Sequence, residues 1–382
     1  MKKLIGLLLA YCTALNTYAA QNEWMVIDSK VVEQQFKVKV LLPDSYQQTE
    51  QQLEGEAVKH YPVLYTRSSD RRLALLRAQM SWLSHVQFAP FFESIIVVLP
   101  EVTANGEMDK FAKASGSADR LAIEVYQKDV IPYIDQHFRT QPFRMIEGFS
   151  TAANQILSIF LQQPSLFNVY MAFSPALALD NSGIVKRFEQ LELSTDYQYR
   201  ALYLNLGSFD ENSEPFEQLQ MLFNQRLKDK LPGLVTYAED LSQHNYLSGP
   251  VIGLVDAGEK LFADRFPAIE QFEQTGTNGV NRYFAQLKQK YGFEIDSQNT
   301  HIDLAYFYVS LKRFADAQNV MTALLKNEPQ SIFLHTRLAD VQKQSGNNTQ
   351  AKETLKRGLN LAKQAENTEA VTYIKARIKE LK

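Results

Sequence analysis

Ser150 is the residue of this chain whose surroundings best fit covalent chemistry. It lies in the string Gly-Phe-Ser-Thr-Ala at 148–152, after a short apolar run and before a helix-forming run at 154–162. This order predicts a nucleophile elbow, a tight strand-to-helix turn that presents a serine hydroxyl at a sheet edge. The turn needs small residues on either side, and Gly148 and Ala152 are small. The string alone is a weak signal, so the other catalytic groups must be found elsewhere.

A histidine that follows the serine would serve as the base. In the order serine, acid, histidine, the base comes after a late strand, at the carboxyl end of the sheet. Of the six histidines, only His244 does so, on the loop after a strand predicted at 234–237. The others precede Ser150 or lie in the helical C-terminal part: His60, His85, His137, His301 and His335. We expect His244 to take the proton of Ser150 and to return it to the leaving alcohol.

The acid is expected on the loop after a strand predicted at 201–206. A carboxylate there could reach an imidazole from the carboxyl edge of the sheet. We favour Asp210, which would orient His244 and stabilise its imidazolium form. Glu211 and Glu214 on the same stretch are the alternatives.

Backbone N–H groups complete the predicted site. A helix that begins after Ser150 makes the Thr151 N–H one expected oxyanion donor, and the loop after a strand at 61–65 should supply the second. The sequence contains no metal-ligand cluster and no phosphate-cradling glycine loop. No metal and no cofactor are therefore implied.

Strand and helix patterns alternate from Trp24 to about Leu261. Strands are predicted at 36–42, 61–65, 94–99, 143–147, 169–173, 201–206 and 234–237. Helical spacing occurs between them at 121–137 and 215–231. The continuous β-branched run at 94–99 is typical of a strand buried on both faces of a parallel sheet. The pattern predicts an α/β domain with a mostly parallel central sheet.

The C-terminal part, 280–382, has a different pattern. No strand is predicted there, and residues match at a shift of 34: Leu304-Ala305 with Leu338-Ala339, Ala317 with Ala351, Met321 with Leu355, and Leu325 with Leu359. This is the period of the tetratricopeptide helix–turn–helix repeat. An all-α helical-repeat domain is predicted, with a generic helical bundle as the alternative. The turn-rich stretch 274–279 is the expected linker.

The N-terminus has the pattern of a secretory signal peptide. Lys2 and Lys3 precede an apolar run, 4–15, and small residues follow at the expected cleavage point, Ala19 or Ala20. Residues 1–20 are then removed, and with them the only cysteine of the chain. We expect a bacterial periplasmic or secreted protein with no membrane span after cleavage; a retained anchor is the alternative. The net charge of −3 gives no reason to expect a nucleic-acid partner.

These residues resemble the putative-esterase family of α/β-hydrolases, which includes siderophore esterases, S-formylglutathione hydrolases and mycolyltransferases. The resemblance covers most of 30–260 and rests on five strings: Leu-Leu-Pro-Asp-Ser-Tyr at 41–46, Tyr-Pro-Val-Leu-Tyr at 61–65, Arg144 before the elbow, Phe-Ser-Pro-Ala at 173–176, and His244 with Pro250 and Gly253. It implies an α/β-hydrolase fold for residues 21–273 and an ester substrate. By alignment the second oxyanion donor is the Asp70 N–H.

The chain departs from the family pattern at three places, one of which is Asp210, where the family commonly has Glu as the acid. At the elbow the family has Gly-His-Ser-x-Gly-Gly, whereas this chain has Phe149 in place of the His and Ala152 and Ala153 in place of the last two Gly. After the strand at 61–65 the family has Leu-Leu-Asp-Gly-Asp, whereas this chain has Thr-Arg-Ser-Ser-Asp at 66–70. The leading hypothesis is an exported serine hydrolase that cleaves small carboxylic esters. By resemblance, siderophore-type esters are the first substrate class to expect. The alternatives are an inactive hydrolase-like binding protein that acts through its repeats, and an envelope acyltransferase. The repeats would either bind a protein partner, or cap the hydrolase domain or bring two copies of it together.

Overall fold

The computed structural model of the protein describes residues 24–46, 58–99, 117–179 and 183–381. The predicted signal peptide, 1–20, lies outside these residues. The chain divides into two compact units, one running to Ala263 with Lys290–Phe293 added, and the other formed by Asp264–Gln289 and the residues from Glu294 onward. None of the helices in the described ranges is long and apolar enough to cross a bilayer.

Eight described strands of the first unit form one sheet. They are β1 Trp24–Ser29, β2 Gln34–Leu41, β3 Tyr61–Arg67, β4 Ile95–Leu99, β5 Thr140–Phe149, β6 Val169–Phe173, β7 Ala201–Ser208 and β8 Val235–Asn245. Their spatial order is β1-β2-β4-β3-β5-β6-β7-β8. The β1–β2 and β2–β4 pairs are antiparallel and all other pairs are parallel. The predicted mostly parallel sheet is confirmed.

Helices cover both faces of the sheet, as expected where strand runs are apolar throughout. They are α1 Asp70–Trp82, α2 Ser117–Val125, α3 Ile131–His137, α4 Thr151–Gln162, α5 Ile184–Glu189, α6 Ser213–Leu222 and α7 Gly249–Leu261. Every residue of β4 and β6 is buried. The main core contains buried side chains of β2 to β7 and of α2 to α6. The helix predicted at 121–137 is α2 and α3, joined by a π-helical turn, Tyr126–Val130.

Two edge strands differ from the prediction. β1 was not predicted, and β8 continues eight residues past Tyr237. Each is an outer strand that pairs with one neighbour only, and most of its residues are partly or fully exposed. The part of β8 past Tyr237 is mainly polar, so hydrophobic patterning marks it poorly, whereas the apolar run at 24–27 was a signal for β1.

Every element described after residue 275 is helical. The helices of this region are α8 Gly276–Tyr291, α9 Gln298–Ser310, α10 Phe314–Asn327, α11 Ile332–Gln344, α12 Asn348–Gln364 and α13 Thr368–Glu380. The hairpins α9–α10 and α11–α12 begin 34 residues apart, as the repeat predicts. The matched Ala317 and Ala351 are fully buried. The stretch 274–279, expected as a linker, instead enters α8 at Gly276.

The two histidines of the repeats are structural. His301 and His335 are 34 residues apart and are both buried. Each ring contacts a backbone oxygen four residues earlier through Nδ1 at 2.9 Å, that of Ser297 in one case and Ser331 in the other. The repetition of this contact agrees with their exclusion as candidates for the base.

Candidate active site

Ser150 lies in a strained turn between β5 and α4. Its φ is 61° and its ψ is −122°, a conformation that costs a non-glycine residue of order 1–3 kcal/mol. Its N–H donates to the Phe173 oxygen at 3.1 Å, and its own carbonyl accepts from Ala153 at 3.0 Å. These bonds hold the strained turn against the end of β6. Such strain is typical of functional sites, where it directs a side chain out of the fold.

Close packing explains the small residues beside the serine. A Cβ placed on Gly148 would lie 2.9 Å from Cδ1 of Ile156 and 3.0 Å from Cβ of Ala152. Real Cβ atoms do not approach other atoms so closely, so α4 can begin this close to β5 only with glycine at 148. The structure thus contains the strand–turn–helix arrangement that the string predicts.

Both predicted oxyanion donors lie at helix N-termini. Thr151 is the first residue of α4, and Asp70 is the first residue of α1 after the capping residue Ser69. The first N–H groups of a helix have no intrahelical acceptor and carry partial positive charge. The strands that lead to these helices, β5 and β3, are neighbours. Both predicted donors therefore lie in the first turns of helices that follow neighbouring strands.

His244 lies in β8 and not on a loop after it. Gly207 of β7 pairs with Leu241, and Ser208 pairs with Asn245, so residues 242–244 form an irregularity between the two pairs. The His244 side chain is half-buried there. The strand was expected to end at Tyr237 because its apolar run ends there, yet the backbone pairing continues. The histidine remains at the carboxyl end of β8, where a base must lie.

Asp210 follows β7 at the same edge. It is exposed and begins a short 3₁₀ turn, Asp210–Asn212. Glu211 is also exposed, and Glu214 accepts a 3.4 Å hydrogen bond from Gln218 in α6. Within the described ranges, no hydrogen bond joins the side chains of Ser150, His244 and Asp210. In unliganded enzymes catalytic hydrogen bonds are often long and shorten when substrate binds.

Tyr246 is a site residue that the sequence analysis missed. Its hydroxyl donates to the Ser174 backbone oxygen at 2.9 Å, and its ring lies between Phe149 at 4.9 Å and Phe209 at 5.0 Å. Burial raises the pKa of Tyr246, and the neighbouring Ser150 side chain lowers it to a smaller extent. Its position two residues after the candidate base was the only available signal.

A buried asparagine fixes the ends of the strands around the site. Asn205 Oδ1 accepts from the Ser174 N–H at 3.0 Å, and Asn205 Nδ2 donates to the Gly249 oxygen at 3.0 Å. The Ser174 hydroxyl in turn accepts from the Gly207 N–H at 3.1 Å. Asn205 and Ser174 are fully buried. This network joins the ends of β6 and β7 to the start of α7.

Charged side chains tie β3 and α1 to the elbow. The Glu147 carboxylate accepts hydrogen bonds from Thr66 Oγ1 and Arg72 Nη2. One position further along β3, Arg67 Nη1 donates to Gln155 Oε1 of α4 at 2.7 Å. The two segments that carry the predicted oxyanion donors are thus joined by side chains as well as by the β3–β5 pairing.

Comparison with known proteins identifies the family. A family profile described as "Putative esterase" matches residues 29–238, more than half of the chain. The match ends before His244. A tetratricopeptide-repeat profile matches residues 308–378. A search of curated proteins finds no match in sequence.

Solved structures share the fold at low sequence identity. An IroE-like serine hydrolase from Shewanella oneidensis is 16% identical, with a TM-score of 0.56 over 78% of this chain and 98% of that chain. A protein from Capnocytophaga ochracea DSM 7271, described as uncharacterised, is 12% identical, with a TM-score of 0.62 over 94% and 99%. The BES protein from Bacillus cereus is 16% identical, with a TM-score of 0.50 over 63% and 94%. The chain has an α/β-hydrolase-like fold, carries a tetratricopeptide repeat near its C-terminus, and belongs to the putative-esterase family.

Proposed function

We propose that this esterase-family protein is an exported serine hydrolase that cleaves carboxylic esters through Ser150. The observation that carries the proposal is the strained backbone of Ser150 between β5 and α4. A turn that presents a nucleophile beside a helix N-terminus needs this geometry.

The roles follow from position. Ser150 Oγ attacks the acyl carbon while His244 takes its proton, and the negative charge forms on the carbonyl oxygen. The Thr151 and Asp70 N–H groups would stabilise that charge. His244 then protonates the leaving alcohol, and water activated by the same histidine releases the acid from the acyl-enzyme. Asp210 would orient His244, with Glu211 and Glu214 as alternatives.

The substrate and the location are part of the proposal. The resemblance to siderophore esterases makes a siderophore-type ester the first natural substrate to assay. The signal-peptide pattern of residues 1–20 supports export to the periplasm or beyond. The tetratricopeptide repeat supports contact with a protein partner or a second copy of the chain.

An inactive, hydrolase-like binding protein is the second candidate. It is favoured by one observation: no hydrogen bond within the described ranges joins Ser150 to His244. A chain of this kind would keep the fold and act through its repeats. An acyltransferase would use the same triad and would be recognised by a product that contains an acceptor alcohol.

The test uses the mature chain, 21–382. It is treated with a fluorophosphonate probe and assayed on short p-nitrophenyl esters, together with Ser150→Ala and His244→Ala. Both variants should lose labelling and lower kcat by roughly 10⁴-fold or more. Asp210→Asn should lower kcat strongly, and a strong loss in Glu211→Gln or Glu214→Gln instead would make that residue the acid. A wild-type chain that neither labels nor hydrolyses any ester would overturn the proposal.

A further inference from the structure

Exposed apolar side chains surround the candidate nucleophile on one side. Leu179 is 72% exposed, Phe209 is 41% exposed and Leu247 is 68% exposed. They lie on the segments that follow β6, β7 and β8, at the carboxyl edge of the sheet. We call these three side chains the apolar rim.

Hydrogen bonds connect the rim to Ser150 on the β6 side. The Ala176 N–H donates to the Ser150 oxygen at 3.4 Å, and the Leu179 N–H donates to the Ala176 oxygen at 3.1 Å. The Ala178 N–H donates to Asn212 Oδ1 at 2.7 Å, which joins this segment to the turn that begins after Phe209. The position of Leu179 is therefore set by the elbow and by the segment after β7.

Aromatic contacts connect the rim to Ser150 on the other side. The Phe209 ring lies 5.0 Å from that of Tyr246, which in turn lies 4.9 Å from that of Phe149, the neighbour of Ser150. Leu247 directly follows Tyr246. Hydrogen bonds, ring contacts or chain neighbours thus link each of the three rim residues to the residues beside Ser150.

Single exposed apolar residues are common and need no explanation. Three on consecutive segments around one site are unusual, because contiguous apolar surface in a soluble protein usually marks a binding surface. The chain also offers a comparison: Trp82 and Phe88 are 70% and 78% exposed but lie at the end of α1 and before β4. They lie towards the amino ends of the parallel strands, whereas Ser150 lies at the carboxyl ends.

We infer that the apolar rim determines specificity, by covering an apolar acyl or alcohol group of the ester bound at Ser150. This inference rests on the proposed esterase function. A CH₂ group that becomes fully buried improves binding about fourfold. An open rim covers only one side of the chain, so about twofold for each CH₂ is expected. The substrate class is then an ester with an apolar group of several carbons, not a small hydrophilic ester.

The test measures kcat/KM against chain length in two ester series. One series varies the acyl group of p-nitrophenyl esters from acetyl to hexanoyl, and the other varies the alcohol of acetate esters from ethyl to hexyl. The wild-type mature chain should gain about 16-fold from the shortest to the longest ester in at least one series. The series that shows the gain identifies which part of the ester lies on the rim.

The decisive variant combines Leu179→Ser, Phe209→Ser and Leu247→Ser. These side chains are exposed, so the fold should tolerate the change, and a melting curve checks this. The ratio of kcat/KM on the longest ester to kcat/KM on the shortest ester should fall in this variant from about 16 to near 1, whatever the change in its activity on the shortest ester. The matched control, Trp82→Ser with Phe88→Ser, should keep the full gain.

Two results would overturn the inference. One is a wild-type chain that is active but shows no gain in either series. The other is a gain that survives in the rim variant or is lost equally in the control. If the wild-type chain hydrolyses no ester and Ser150 is not labelled, the esterase proposal itself fails, and the inference fails with it.

Discussion

Arg72 of α1 and Glu147 of β5 form an ion pair, and the Glu147 side chain has no exposed surface. Arg72 is two residues after Asp70, and Glu147 is three residues before Ser150. The pair therefore links the first turn of α1 to the strand that ends at the nucleophile. Nη1 of Arg72 has no hydrogen-bond partner within the described ranges. The cost of burying the Arg72 guanidinium is therefore offset mainly by its contact with Glu147.

Removal of one partner should cost more than removal of both. Arg72→Met leaves an uncompensated buried carboxylate and should lower the free energy of unfolding by about 3–5 kcal/mol. The double variant Arg72→Met with Glu147→Gln should lose less than Arg72→Met alone, since no charge remains buried. Urea unfolding of both variants and the wild type measures this. A loss below about 1 kcal/mol for Arg72→Met would contradict the assignment.

Two buried tyrosines should respond in opposite ways to loss of the hydroxyl. The Tyr126 hydroxyl has no partner among the described residues, whereas that of Tyr170 accepts from the Phe167 N–H at 3.1 Å and donates to the Pro164 oxygen at 3.0 Å. Tyr126→Phe should leave stability unchanged or raise it by up to about 1 kcal/mol, and Tyr170→Phe should cost about 1–3 kcal/mol. Equal losses in the two variants, measured by chemical unfolding, would refute this.

Alkaline pH should destabilise the fold through Tyr126. Burial raises the pKa of Tyr126 from 10.0 to about 12. The unfolded chain therefore releases this proton first, so the contribution to stability is complete below pH 10 and is lost as the pH rises towards 12. In that window Tyr126→Phe should reduce the fall in unfolding free energy by about 1.4 kcal/mol per pH unit. Identical pH profiles for the variant and the wild type would contradict the expectation.

The helical repeat should depend on its small residues. Ala317 of α10 is fully buried and matches Ala351 at the shift of 34, so Ala317→Leu should cost about 1–3 kcal/mol through overpacking. Ala323 lies on the exposed side of the same helix, and Ala323→Leu should change stability by less than about 0.5 kcal/mol. Thermal unfolding compares the two. Similar melting temperatures would show that the helices do not pack closely at Ala317.

Strong periodic signals were sufficient for the main elements. The β-branched run at 94–99, the strand at 169–173 and the shift of 34 each reflect a face that must be buried, so they appear directly in the order of residues. The last part of β8 is mainly polar and mostly exposed and therefore gives no such signal. His244 was for this reason placed after its strand instead of within it.

The order of residues was enough to predict the elbow at Ser150, the parallel sheet and the repeated helices. Each of these follows from local turn chemistry or from a hydrophobic period. The contacts between distant residues could be seen only in the folded chain: Tyr246 with Ser174, Arg72 with Glu147, and Asn205 with Gly249. These contacts join residues far apart in the chain, and a polar side chain in a strand or turn gives no local sign of its partner. Their geometry arises only when the strand ends are brought to one edge of the sheet.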